Sequence, residues 1–204
     1  MQYPAISEYV KANQDASDNL DTSTGATKAE LNEAITDEFG VKYSKDGRKL
    51  LKAPYKLNGT YSIKEGVRII CNWAFFNCRS LSSLVIPDGV VCINGNPFGK
   101  WNGKLECLSP NFIYEDEVLF NKDKSKIISC RVQGISLYII PDSVTSIGDW
   151  AFSGCESLRS VVVPDSVTSI GRGAFRDSNL PVNLQLNLIS RFGKNICVTF
   201  YPYP

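Results

Sequence analysis

The chain has 204 residues, 43% of them apolar and 21% charged, with a formal net charge of +1 and no histidine. That length and apolar fraction support a substantial core, and a near-neutral chain has no long-range attraction for nucleic acid or a membrane surface. Without histidine, Ser-His-Asp and Cys-His nucleophile arrangements and an imidazole-held catalytic zinc are excluded.

In chain order, the first forty residues stand apart. They carry eight acids and two lysines, whereas residues 41–204 carry twenty bases and thirteen acids, so the two parts read as different structural units. Residues 1–8 lack the basic and apolar stretches of a secretory signal, and on that reading a chain complete as given is cytoplasmic. No run approaches the ~18–20 apolar residues of a membrane helix, so membrane insertion is not expected. Residues 6–13 predict a short helix, and residues 15–25, acidic and rich in Ser and Thr, predict a loop or disordered linker. Thr27 followed by Glu30 fits a capping box. Leu31, Ile35 and Phe39 then recur at four-residue spacing, which predicts a helix closed by Gly40 at C′. The acidic, helical 1–40 segment reads either as a cap for the rest of the chain or as a docking element.

From residue 41 the chain repeats itself. Residues 41–98 align with 118–175 at a constant offset of 77 with twenty-one identities, among them Tyr61/Tyr138, Trp73/Trp150 and Cys78/Cys155. Each copy opens with two apolar runs around a polar turn, at Asp46-Gly47 in the first and Asn121-Lys122-Asp123-Lys124 in the second, which predicts inserted β-hairpins. A period of 23 comes next: Val67, Ile70 and Phe75 recur as Val90, Ile93 and Phe98, and Val144, Ile147 and Phe152 as Val167, Ile170 and Phe175. A fixed period of this size means a stacked solenoid, since no unit can bury its apolar face without neighbours. In the clearest unit Leu158, Val161 and Val163 form the inward side of a strand, Pro164 ends it, and Val167 and Ile170 form the returning inner face. The expected fold is therefore a β-rich repeat solenoid with short helical or 3-10 turns on its convex side, spanning 41–180 and built from super-repeats 41–98 and 118–175. Residues 99–112 fit the period poorly and predict an irregular turn. Residues 181–204 read as a C-terminal cap, with alternating runs at 183–188 and 196–200 predicting two closing strands and 201–204 a frayed terminus.

Chemistry-bearing residues are sparse. The seven cysteines, Cys71, Cys78, Cys92, Cys107, Cys130, Cys155 and Cys197, include no CxxC pair, so they read as thiols and not as a zinc site. Glu115, Asp116 and Glu117 lack EF-hand spacing and read as a solvated loop. Gly95, Gly99 and Gly103 match no nucleotide fingerprint. No catalytic residue, cofactor or metal is assigned, and the expectation is a non-enzyme. Binding has a physical basis in the strand residues that point outward: Gly59, Thr60 and Ser62; Ser82, Ser83 and Val85; Ser136, Leu137 and Ile139; Arg159, Ser160 and Val162. This face is mostly small and polar, with an apolar stripe at Val85, Ile139 and Val162. It reads as the ordinary outside of a sheet or as a partner-binding surface, and clustered apolar exposure favours the second. Trp73 and Trp150 read as packing on the convex side.

The strings Ile140-Pro141-Asp142-Ser143-Val144-Thr145-Ser146-Ile147-Gly148-Asp149-Trp150-Ala151-Phe152 and 163–175 resemble the 23-residue leucine-rich repeat class of BspA-like surface proteins of host-associated bacteria and related treponemal proteins. The resemblance covers about 41–180, and the turn of the second hairpin is similar to inserts in that family. It implies a non-catalytic protein-interaction or adhesion module, a protein partner such as a host matrix protein or another bacterial surface protein, and a cell-surface or secreted location. Two alternatives remain: a structural or assembly protein, and a glycan-binding protein, which would need exposed aromatic platforms that the outward positions lack. Oligomeric state is left open at this level.

Overall fold

In a computed structural model the structure describes residues 25–196. The predicted helix at 6–13, nearly all of the 15–25 loop, most of the 196–200 strand and the 201–204 terminus lie outside them.

Each 23-residue unit makes two strands and a corner. Strands β4 (Gly59–Ser62), β6 (Leu81–Ile86) and β8 (Lys104–Cys107) pair in parallel on one side, and the two-residue strands β5 (Ile69–Ile70) and β7 (Cys92–Ile93) pair on another. The second copy repeats this with β12 (Leu137–Ile139) beside β14 (Ser160–Val162), and with β13 (Ser146–Ile147) beside β15 (Ser169–Ile170). The result is a β-solenoid of about five turns. Its corners are hydrogen-bonded turns laddered from one unit to the next, as in Phe75 N–H to Pro97 O at 2.8 Å and Phe152 N–H to Ala174 O at 2.7 Å. Among the described residues a 3-10 helix occurs at Lys194–Ile196, not on these convex corners. One phenylalanine per corner stacks on its successor, Phe75 on Phe98 at 6.3 Å and Phe152 on Phe175 at 5.1 Å.

Both copies open with an antiparallel meander. The first is β1 (Ile35–Thr36), β2 (Lys42–Tyr43) and β3 (Lys49–Lys52), and the second is β9 (Phe112–Glu115), β10 (Val118–Asn121) and β11 (Lys126–Cys130). The predicted hairpins are the last two strands of each meander, and their second strands continue as the first parallel rung beside β5 and β13. The first strand of each meander was not foreseen. Asp116-Glu117, with φ of 47° and 60°, is the tight turn joining β9 to β10.

The second meander separates two cores. Leu119 and Ile128 pack into the first-copy core, while Val118, Phe120, Ile127 and Cys130 pack into the second. Successive strand side chains point to opposite faces, so a strand buried on both faces reads as a nearly continuous apolar run. On the corner side the copies touch directly. The Trp73 and Trp150 rings lie 5.1 Å apart, and Asn96 Nδ2 donates to Trp150 O at 2.9 Å. The two tryptophans thus join the halves and do not simply line the convex surface. Gly173 makes room: at φ +60°, a Cβ there would sit 2.4 Å from the Trp150 ring.

Three expectations are corrected. The helix begun at Thr27 is α1 (Lys28–Asn32), and its capping box forms with Glu30 N–H to Thr27 Oγ1 at 3.1 Å and Thr27 N–H to Glu30 Oε2 at 2.9 Å. It does not continue to Phe39. β-branched Ile35 and Thr36 pair with β2 instead, and Asp37 Oδ1 accepts from Phe39 and Val41 N–H to fold an Asx turn that Gly40 closes. Residues 183–188 are helical and not a strand, within α2 (Val182–Phe192). Pro181 fixes φ at −59° at the N-cap, where a missing N–H costs nothing. Leu184, Leu188, Ile189 and Phe192 then meet the second core at helical spacing, so period 3.6 overrides the period-2 alternation of leucines. Finally, 99–112 is not wholly irregular. The unit loses two residues: Phe98 follows Phe75 by 23, but Leu105 pairs with Leu84 at 21, and β8 is a regular rung. Trp101 stands 23 residues after Cys78 and fills that core position, its Nε1 donating to Leu81 O at 2.7 Å.

Candidate functional site

The outward residues chosen from register lie on strands or one residue before them, but on two separate sheets. Thr60 and Ser62 on β4 pair with Ser83 and Val85 on β6, and Ser82 is the extra residue where the register shifts. Beside them β8 presents Lys104 and Glu106, opposite Ser83 and Val85. These two charges were missed because the two-residue deletion hides the repeat there. Across the break, Leu137 and Ile139 on β12 pair with Ser160 and Val162 on β14. Ser136 and Arg159 lie one residue before these strands and are exposed, with Arg159 N–H donating to Ser136 O at 2.8 Å.

The predicted apolar stripe is therefore not continuous. Val85 sits between Ser62 and Glu106 on the first sheet. Leu137, Ile139 and Val162 form the apolar patch on the second, exposed by 48%, 64% and 49%. A continuous stripe needs turns stacked without interruption, and the internal meander interrupts them.

A second feature lies at the break, where a cleft of about 570 Å³ opens between the copies. Arg131, at the end of β11, is buried to 7% exposure. Its guanidinium stacks 4.1 Å from the Trp101 ring centroid, donates to Tyr114 Oη at 3.2 Å and donates to Gly103 O. Burial lowers its pKa from the usual arginine range. Sequence reasoning missed Arg131. The available signal was a repeat mismatch, since its counterpart 77 residues earlier is Pro54.

Tyr43, Tyr61, Cys71 and Cys78 are buried titratable groups of the first copy. Tyr61 donates to Asp37 Oδ2 at 2.6 Å, and the Tyr43 hydroxyl then donates to that of Tyr61, tying residue 37 to the first rungs. Burial pushes Tyr43 up to about 12 and Tyr61 further still. Cys71 and Cys78 are buried free thiols raised by burial to about 11, far from nucleophilic poise. Glu115 pairs with Lys124 at 2.5 Å. No helix among the described residues is long and apolar enough to cross a membrane.

The sequence profile of the BspA type leucine rich repeat region matches residues 56–133 and 125–196, in six copies. The chain belongs to the BspA-type leucine-rich repeat family. No curated protein matches it. Among solved structures it is similar to a leucine-rich repeat protein from Eubacterium ventriosum, with 28% identity, a TM-score of 0.51, and coverage of 57% of this chain and 32% of the other. It is also similar to a leucine rich cell surface protein from Faecalibacterium prausnitzii, with 29% identity, a TM-score of 0.49, and coverage of 61% and 40%. The pneumococcal vaccine antigen PcpA matches at 18% identity and a TM-score of 0.48, over 60% of this chain and 37% of that one. The chain thus spans 32–40% of the length of these solved proteins.

Proposed function

We propose that this BspA-type repeat protein is a protein-interaction or adhesion module that binds a protein partner through its outward strand face, centred on β12 and β14. One observation carries the reading: Leu137, Ile139 and Val162 stand exposed together on two adjacent strands. Three apolar side chains on one face, flanked by Arg159 and Ser160, form the kind of patch that marks interaction sites. Thr60, Ser62, Ser82, Ser83 and Val85 would form a more polar extension across the break. The family resemblance supports a host matrix protein or another bacterial surface protein as partner and a surface or secreted location.

The test is binding of purified matrix proteins to immobilised wild type beside an Ile139→Glu/Val162→Glu variant with an unchanged unfolding midpoint. A matrix protein held by wild type and released at least about tenfold more easily by the variant supports the face, because two anchor residues each contribute over about 1 kcal/mol. Equal binding by both moves the site elsewhere. A second reading, assembly with further copies, is favoured by the free edge of β12, which pairs only with β14 among the described residues. A mass in solution that rises with concentration, and falls back in the same variant, would select it.

A further inference from the structure

The cleft at the break holds two buried polar groups that the fold leaves unused. Ser129 is fully buried and Arg131 nearly so, both line the cleft, and neither Ser129 Oγ nor Arg131 Nε has a hydrogen-bond partner among the described residues. Buried polar atoms are almost always satisfied, and an unmade hydrogen bond of this kind costs about 1–3 kcal/mol. Two such groups in one cleft offer a polar guest an N–H and a hydroxyl to meet.

The charges identify its sign. Arg79 and Lys100 line the same cleft, with Glu156 the acid among its walls. No carboxylate among the described residues lies within ion-pair distance of Arg131, Arg79 or Lys100. Contacts to Trp101, Tyr114 and Gly103 fix the plane of the Arg131 guanidinium and occupy its face and one donor on each terminal nitrogen. They leave the Nε–H unspent. A held guanidinium with a free donor edge suits an oxyanion, which it can meet with paired, charge-assisted hydrogen bonds. At about 570 Å³ the space exceeds what a bare ion needs and falls among small-molecule sites of roughly 300–1,000 Å³.

We propose that this cleft binds a metabolite-sized oxyanion, whose phosphate or carboxylate group is taken by the free edge of Arg131 and the hydroxyl of Ser129. The cleft shares Ser82 with the polar extension of the strand face, but neither Arg131 nor Ser129 belongs to that face, so either proposal could fail without the other.

The full chain is titrated with sodium phosphate and, separately, with sodium succinate, each against sodium chloride at equal ionic strength, by calorimetry and thermal unfolding. Saturable binding with a rise in Tm is expected for at least one, and the better ligand tells phosphate from carboxylate. Ser129→Ala is expected to keep or raise the ligand-free Tm, because it removes an orphan hydroxyl, while weakening binding roughly two- to tenfold. Arg131→Lys keeps the charge but loses the fork and is expected to weaken binding about tenfold or more. Two results overturn the proposal: no saturable response to either anion, or affinities unchanged in both variants. If Arg131→Lys does not fold, Ser129→Ala decides alone.

Discussion

The two meanders are one motif in two settings. At β2–β3 the residues are Lys42, Leu51 and Lys52; at the equivalent places in β10–β11 they are Leu119, Ile128 and Ser129. Lys42 is half-buried and Lys52 exposed, whereas Leu119 and Ser129 are fully buried. Their shared inner positions, Tyr43 and Phe120 among them, pack into the core of their own copy. The second meander also turns Leu119 and Ile128 back into the preceding core. A hairpin is thus made terminal or internal by a few side chains on one face, with the backbone pairing unchanged.

Exchanging those side chains should convert one setting into the other, with the largest effect at the internal meander. Leu119→Lys buries an unpaired charge between the cores and is expected to cost at least about 3–5 kcal/mol, read as loss of the folded baseline in urea. Lys42→Leu, its reciprocal, should stay within about 0.5 kcal/mol, as surface changes do. The tyrosines extend the contrast. Tyr61 donates to the Asp37 carboxylate, while its repeat partner Tyr138 has Tyr114 where Asp37 stands. Tyr61→Phe is expected to lose about 1.5–3 kcal/mol, the value of a hydrogen bond to a charged group, and Tyr138→Phe much less, by the shift in urea midpoint at constant m.

Alkaline titration separates the buried phenols and thiols of the first copy from the rest of the chain. A phenol whose pKa is raised by folding holds its proton more tightly in the folded state, so its contribution is complete below pH 10 and drains away as pH climbs through about 12. Cys71 and Cys78 add the same sign from about pH 9 to 11. Stability should fall across this range, and Tyr43→Phe should flatten the upper part of the slope; an unchanged slope would place the loss elsewhere. The smallest effect is Thr27→Ala, about 1 kcal/mol through the lost cap, detectable as protease sensitivity near residue 30 before global unfolding.

Much of the fold was legible because the solenoid's period and its proline and phenylalanine positions record contacts made once per turn. The capping box and both hairpin turns were also readable, being local chemistry. What escaped depended on what lies opposite. The spacing of Leu31, Ile35 and Phe39 suits a helix, but Asp37 and Gly40 supply a turn and β2 a pairing edge. The leucines of 183–188 suit a strand until the second core offers a helix somewhere to dock. The strands that carry the candidate residues were legible one by one, yet their continuity was misjudged, because no residue of β6 or β12 states that a meander stands between them. Arg131 and Ser129 were invisible for the same reason, as each gains its meaning only from Trp101, Gly103 and the cleft across the break.

Such a meander makes the whole 77-residue block, and not the single 23-residue turn, the natural unit of inheritance. A duplicated block arrives with its own adapter already folded. Only the outer face of that adapter must then change, from lysine to leucine at one position and to serine at the other, to turn a beginning into a joint. Lineages that lengthen or shorten this array would be expected to do so in block-sized steps, with substitutions gathered at the positions of Lys42 and Lys52.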